Sequence, residues 1–315
     1  MTGLGFFASA RFWRGALPAL SLTFVLLGVF WLQPRAMSYF GLNLLFNLAV
    51  PIALATIAQM FVIAVNDLDL SIGSFVSLVA CIGATWLNET PLLGIAALLG
   101  CIAVYAAIGA LIYIRQLPSI VVTLGMSFVW SGCAVLLLPT PGGSAPDWIR
   151  SLVTLKPPYV PMPLVAAAVL ALVVHFALMR TSWGVLMRGV GGNEKAITRA
   201  GWSVLKLKMT MYALTAVFGI IAGLTLVGLA TSADANIALR YTLLSIAGVI
   251  LGGGEFVGGR ISPVGAVLGA MTLTLTASFL SFLRISPDWQ IGAQGAVLII
   301  VLALRAIVNR LEARK

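Results

Sequence analysis

Ten apolar runs follow one another along this chain, with only short polar stretches between them. They cover about residues 16–33, 43–65, 70–87, 91–114, 118–138, 160–179, 209–230, 241–253, 261–283 and 290–307. A helix needs roughly 20 residues to cross the hydrocarbon, and a span with its turn takes about 30. The 315 residues are therefore filled by about ten spans, with little left over. A spanning segment must satisfy its own backbone, so apolar runs of this length predict helices. The expected fold is all-α: a polytopic membrane helix bundle of about ten transmembrane helices, with 1–315 as one transmembrane domain. The eighth run is short and the third is bounded by charge, so neither need cross fully. Composition agrees, since 61 % of residues are hydrophobic and 9 % are charged, against roughly 25 % charge in an average soluble domain. A soluble enzyme, a disordered tail and a nucleic-acid binder are disfavoured from the start.

The few charges set the orientation. The net charge is +10, from 19 Lys and Arg against 9 Asp and Glu. Arg11 and Arg14 precede the first run, and Trp31, Gln33 and Pro34 follow it in place of a small-residue cleavage site. That predicts a retained span with the N-terminus inside. Alternating from there puts Arg35, Arg150, Lys156, Arg240 and Arg284 outside and the other fourteen cations inside, as the positive-inside rule requires. Both termini are then expected to be cytoplasmic, in a multi-pass membrane chain. Cys81, Cys101 and Cys133 fall in apolar stretches and match no metal or disulfide pattern.

Two connections are long. The outer one, 139–161, is rich in Pro and Gly (PTPGGSAPDW, KPPYVP), which predicts an extended cover. The inner one, 180–208, reads RTSWGVLMRGVGGNEKAITRAGWSVLKLK. Gly191 and Gly192 are expected to break the preceding structure. Asn193 suits an N-cap, Glu194 suits the first turn, and Gly201 suits the stop. A capped helix of about two turns follows, with Ala196, Ile197 and Ala200 on one face. Such a helix is not stable alone in water and needs its flanking spans or a partner. Physics leaves two readings: a solvated connector, or a docking knob for a cytoplasmic motor.

The segment GVGGNEKAITRAGWSVLKLK resembles the "GGN-x-x-A-x-x-x-G" cytoplasmic loop of ribose/monosaccharide-type ABC transporter permeases. AVNDLDLSIGSFVSLVA is similar to that family's "GGIDLSVGS" segment, IRQLPSIVVTLGM to "IPSFIVTLG", and VILGGGEFVGGRISPVGAVLGA to "VVLGGTSLAGGRGSIWGTLIGA". The four matches stand in order from about residue 60 to 305. The resemblance implies the permease subunit of a binding-protein-dependent importer, moving a monosaccharide or similar small polar solute from periplasm to cytoplasm. It implies partners: a second permease (a copy or a paralogue), cytoplasmic ATP-binding subunits and a periplasmic binding protein. Gly192, Asn193, Glu194, Ala196, Ile197, Ala200 and Gly201 would form the coupling helix against the ATPase. This chain has no G-x-x-x-x-G-K-[ST] phosphate loop. It is therefore expected to carry no cofactor and to be no enzyme, with ATP and Mg held by the partner.

Charged groups inside a membrane are costly, and they face the bundle or water. Asp67 and Asp69 sit between the second and third runs, Glu255 and Arg260 between the eighth and ninth. Both places are Gly- or turn-rich breaks. The two breaks are expected to approach each other as an inner gate, with Asn66 and Ser71; the alternative is a pair of plain cytoplasmic turns. Thr123 and Trp130 join the candidate path. Other neutral polar residues in the runs are Asn43, Asn47, Gln59, Ser127, Thr272, Thr276, Gln290 and Gln294. The chain also departs from the family. The usual Gly-Gly before Ile-Asp-Leu-Ser is here Asn66-Asp67. The acids of "E-L-D-A-I" are here Thr242 and Leu244. That fits a non-pentose substrate (a polyol, autoinducer-like sugar or nucleoside) or a heterodimeric pore. An ion-coupled secondary transporter is the rival class, and it would want a carboxylate in mid-span.

Overall fold

The computed structural model describes residues 10–286 apart from position 231, together with positions 289, 292, 295, 296, 299 and 303. Most of the tenth run, both chain ends, Gln290 and Gln294 lie outside the described residues. Among the described residues the fold is all helix, and an isolated bridge between Gly142 and Ala233 is its one β contact. Six helical segments there are long and apolar enough to cross a membrane, or seven if one bent pair counts as a span.

The chain opens with α1 (Ala10–Leu32), a 3-10 turn (Pro34–Met37), α2 (Tyr39–Asn47) and α3 (Ala49–Ile63). The second apolar run is thus two helices meeting at 40° rather than one straight span. Pro51 explains the bend. Its ring nitrogen cannot donate to the carbonyl of Asn47, and the ring crowds that carbonyl. Next come α4 (Ile72–Ala84) and the short α5 (Trp86–Glu89), separated at Thr85, whose hydroxyl bonds the Cys81 carbonyl at 2.7 Å. The long α6 (Pro91–Arg115) and α7 (Ser119–Leu137) follow.

The outer connection is not fully extended. It contains α8 (Asp147–Val153). Prolines bracket this stretch without entering it, and Pro146 precedes its first turn, where Pro is tolerated. The inner connection, too, holds more helix than expected. After α9 (Met162–Arg180), a helix α10 (Ser182–Gly192) runs through Gly191 before α11 (Glu194–Arg199) begins. The glycines do not break α10; Gly191 is there for close approach. A Cβ on it would meet the Ala64 carbonyl and the Gly259 backbone. The described bundle closes with α12 (Val204–Leu229), α13 (Tyr241–Leu251) and α14 (Pro263–Phe282).

α4 lies at the centre, with every residue buried. α12 packs along α3, α4 and α6, while α14 packs on α1, α3 and α13. Two small-residue stripes, Gly219-x-x-x-Gly223 and Gly265-x-x-x-Gly269, serve these intrachain contacts. Gly219 faces the Phe75 ring and Gly223 faces Val79. A Cβ on Gly265 would fall on the Gly252 carbonyl, so α13 and α14 touch backbone to backbone. By contrast α7 buries only Thr123, Trp130 and Ala134. Its Phe128 and Leu136 stay exposed, as do Leu172 and Phe176 of α9, which suits a lipid-facing surface.

The connections sort into two ends. Those assigned to the inside meet at one end, where Asn66 bonds Gly191 and Gly258 and Leu68 bonds Ser119. Those assigned to the outside meet at the other, where Gly142 pairs with Ala233, Ser144 bonds Ala84, and Tyr39 bonds Pro157. The segment 232–240 does not stay at that outer end. Its Ala238 amide donates to Ser77 Oγ at 3.0 Å. Ser77 is roughly 10 Å further along α4 than Ala84. The chain therefore dips beside α4 before α13 starts. The 11 residues of α13 extend about 16 Å, half of the ~30 Å hydrocarbon core.

Candidate functional site

α11 is built as its caps require. Asn193 Oδ1 accepts from the Ala196 amide at 3.0 Å, and Glu194 lies in the first turn, Arg199 in the last. The chain leaves it at Gly201, whose φ is +83°, a left-handed geometry that suits glycine. α11 buries none of its residues. Ala196 and Ala200 are exposed, whereas Ile197 is half-buried and packs against Gly189 of α10. The three apolar residues therefore do not act as one face. Ile197 anchors the helix to its own chain and the two alanines look outward.

The first break, 64–71, sits directly against this loop. Asn66 has φ +61°, a conformation that Asn tolerates better than most residues. Its amide reaches two other segments at once. Nδ2 donates to the Gly191 carbonyl at 2.7 Å, and Oδ1 accepts from the Gly258 amide at 3.0 Å. Asp67 pairs with Lys208 at 3.3 Å, and the same ammonium lies 3.6 Å from Glu194 of α11. Burial pushes the Asp67 carboxyl above its ordinary range, while the adjacent Lys208 charge pulls it back. A polar cleft of about 370 Å³ opens here, bordered by Asn66, Asp67, Gln116, Ser119, Glu194 and Lys208.

Two residues on, Asp69 is fully buried. Oδ1 accepts from the Ser71 amide at 2.7 Å and from Ser71 Oγ at 2.6 Å; Oδ2 accepts from the Tyr105 hydroxyl at 3.0 Å. The Gln59 side-chain amide lies 3.0 Å from the Asp69 carbonyl oxygen and 3.1 Å from its backbone nitrogen, placed to pair with both. Thr123 Oγ1 accepts from the Leu70 amide at 3.1 Å. Trp130 stacks on Tyr105, with ring centroids 5.9 Å apart and planes within 6°. So Asp69, Ser71 and Tyr105 form one closed, hydrogen-bonded cluster at the start of α4, with Thr123 tied to the same turn through Leu70 and Trp130 covering it by ring stacking alone.

The second break, 252–260, meets the first through the Asn66–Gly258 bond, and Gly259 packs against the Arg188 carbonyl of α10. Glu255 and Arg260 pair with each other at 3.5 Å and remain partly exposed. They lie on the solvent side of the junction, away from the Asp69 cluster. The two breaks thus lie against each other, and the end of α10 lies between them.

Sequence reasoning missed Lys208, Tyr105 and the Gln59 contact. Lys208 carried a signal, since it is a cation within the turn that opens an apolar helix, where an acidic partner is needed. Tyr105 carried none, because one hydroxyl in an apolar run does not say which acid it serves.

Residues 41–302 match the sequence model of a family described as branched-chain amino acid transport system / permease component. The chain is 27 % identical over 276 residues to the ribose import permease protein RbsC of Escherichia coli strain K12, covering 84 % of this chain and 85 % of that protein. It is 27 % identical over 306 residues to the autoinducer 2 import system permease protein LsrD of Salmonella typhi, covering 94 % and 92 %. A further relative, the ribose import permease protein RbsC of Haemophilus influenzae, is 28 % identical over 258 residues, 79 % of each chain. No solved structure matches.

Proposed function

This chain belongs to the branched-chain amino acid transport system / permease component family, and from that premise we propose that it imports a monosaccharide or similar polyhydroxylated solute. It is a multi-pass inner-membrane transport subunit of the ABC importer type, not an enzyme. Ribose and autoinducer 2 in the names of relatives aligned over most of the chain favour a sugar-like solute. In this reading ATP and Mg bind a separate cytoplasmic subunit that docks on α11. A periplasmic binding protein delivers the solute, and a second permease completes the pore.

One observation carries the docking assignment. A capped six-residue helix with no buried residue stands at the end of the bundle where both breaks converge. A helix so short does not persist in water without a partner surface. Its exposed Ala196 and Ala200 leave a small, smooth face fit for a cleft. Ala200→Glu should abolish co-purification with the ATP-binding subunit, while Ile197→Val should retain it. Undiminished co-purification of Ala200→Glu from correctly inserted protein would refute docking at this face.

A further inference from the structure

Three segments remote in sequence meet behind α11: the first break, the end of α10 and the glycine loop of the second break. Asn66 uses both ends of one amide to hold the other two, donating to Gly191 and accepting from Gly258. One residue on, Asp67 shares Lys208 with Glu194, the first residue of α11. The side chains of Lys208 and Asp67 are each 10 % exposed, so that pair is screened little by solvent, whereas Glu194 at the outer end of the chain is 45 % exposed. Gly191 is in backbone contact with Ala64 and Gly259. A closely packed junction transmits displacement instead of absorbing it. On its far side stands the Asp69 turn, fixed to α6 by Tyr105 and to α3 by Gln59.

α11 is held by Ile197 against Gly189 of α10 and by the Glu194–Lys208 pair, and Asn66 in turn holds the end of α10 at Gly191. We propose that Asn66 and the Glu194–Lys208–Asp67 chain form the joint that carries movement of α11 to the buried Asp69 turn at the start of α4. The joint rests on the docking reading above. It also gives a physical role to Asn66-Asp67, the pair that stands where the resembling family has Gly-Gly. A glycine at 66 would keep the left-handed backbone and lose both amide bonds. A glycine at 67 would lose the ion pair. Neither change strains the chain.

The test is hydrogen–deuterium exchange on the permease–ATP-binding-subunit complex in lipid nanodiscs, with and without vanadate-trapped nucleotide. In the natural protein, nucleotide should change exchange at both 194–199 and 64–71. In Asn66→Gly/Lys208→Met the change at 194–199 should persist and the change at 64–71 should be lost. A contact that only stabilises the fold would raise exchange at 64–71 equally in both states, and that result overturns the joint. So does an unaltered response at 64–71 in the variant. If unpaired Asp67 prevents folding, Asp67→Asn/Lys208→Met removes both charges and is read the same way. No nucleotide response at 194–199 in the natural protein overturns the docking reading itself. A response there with none at 64–71 overturns the joint alone.

Discussion

Replacing Tyr105 by Phe removes a single oxygen from the Asp69 cluster and nothing else. The hydroxyl donates to Asp69 Oδ2 at 3.0 Å and lies 3.2 Å from Ser71 Oγ. Both Tyr105 and Asp69 are fully buried, so water does not take the vacated place. Asp69 keeps its two bonds from Ser71 and is not stripped of donors. The ring keeps its stacking on Trp130 and its tilted contact with Phe75, with centroids 4.7 Å apart. The loss is therefore one hydrogen bond to a carboxylate, worth about 1.5–3 kcal/mol. The assay is reversible unfolding in mixed detergent–SDS micelles, run as a double-mutant cycle with Asp69→Asn. The amide accepts a hydrogen bond more weakly than the carboxylate, so the two effects should couple by at least about 1 kcal/mol. A coupling within the roughly 0.3–0.5 kcal/mol scatter of independent sites would show that the two residues do not act together.

Two further changes test the packing at the site. Gly191→Ala should prevent stable assembly, because its Cβ would meet the Ala64 carbonyl and Gly259, whereas Gly192→Ala is tolerated since its nearest neighbour is the Gly258 carbonyl at 3.7 Å; fluorescence-detected size exclusion distinguishes the two. Gly219→Ala places a Cβ 2.7 Å from the Phe75 ring and should destabilise by about 1–3 kcal/mol, with recovery when Phe75→Leu is added. Absence of that recovery would mean that the α4–α12 contact is not what the glycine serves.

What could be read from the sequence depended on how local the cause was. Most spans were legible, because the pattern that makes a membrane helix lies within it. The α11 cap was legible for the same reason: Asn193 and Gly201 act within one turn of themselves. The 40° bend at Leu48 was written in Pro51 but masked by the apolar run around it. The descent of 232–240 beside α4 was not legible, since Ser77 and Gly73, which receive it, are more than 150 residues away. The candidate site divides in the same manner. Asp69 and Ser71 bond each other and stood out as a motif. Their closure by Tyr105, Thr123 and Gln59 arises only when α6, α7 and α3 are packed together.

The two lost acids before the second glycine segment do not carry equal weight. Thr242 opens α13, and its hydroxyl accepts from the Gly73 amide at 3.0 Å. An acid at this position would offer a carboxylate oxygen to the same N–H, so Thr keeps the tie between α13 and α4 and gives up only the charge. Leu244 has no such substitute. It is half-buried and packs against Ala247, Leu251 and Leu273, where α13 meets α14. A carboxylate there would have had to leave that apolar cluster or find a cation, and leucine removes the requirement. Position 244 therefore speaks to how α13 packs on α14, while position 242 speaks to how α13 is tied to α4. Restoring each acid separately distinguishes the two roles. Thr242→Glu should be accepted by the fold because Gly73 still has its acceptor, and Leu244→Asp should reduce stability unless a second permease supplies the missing charge.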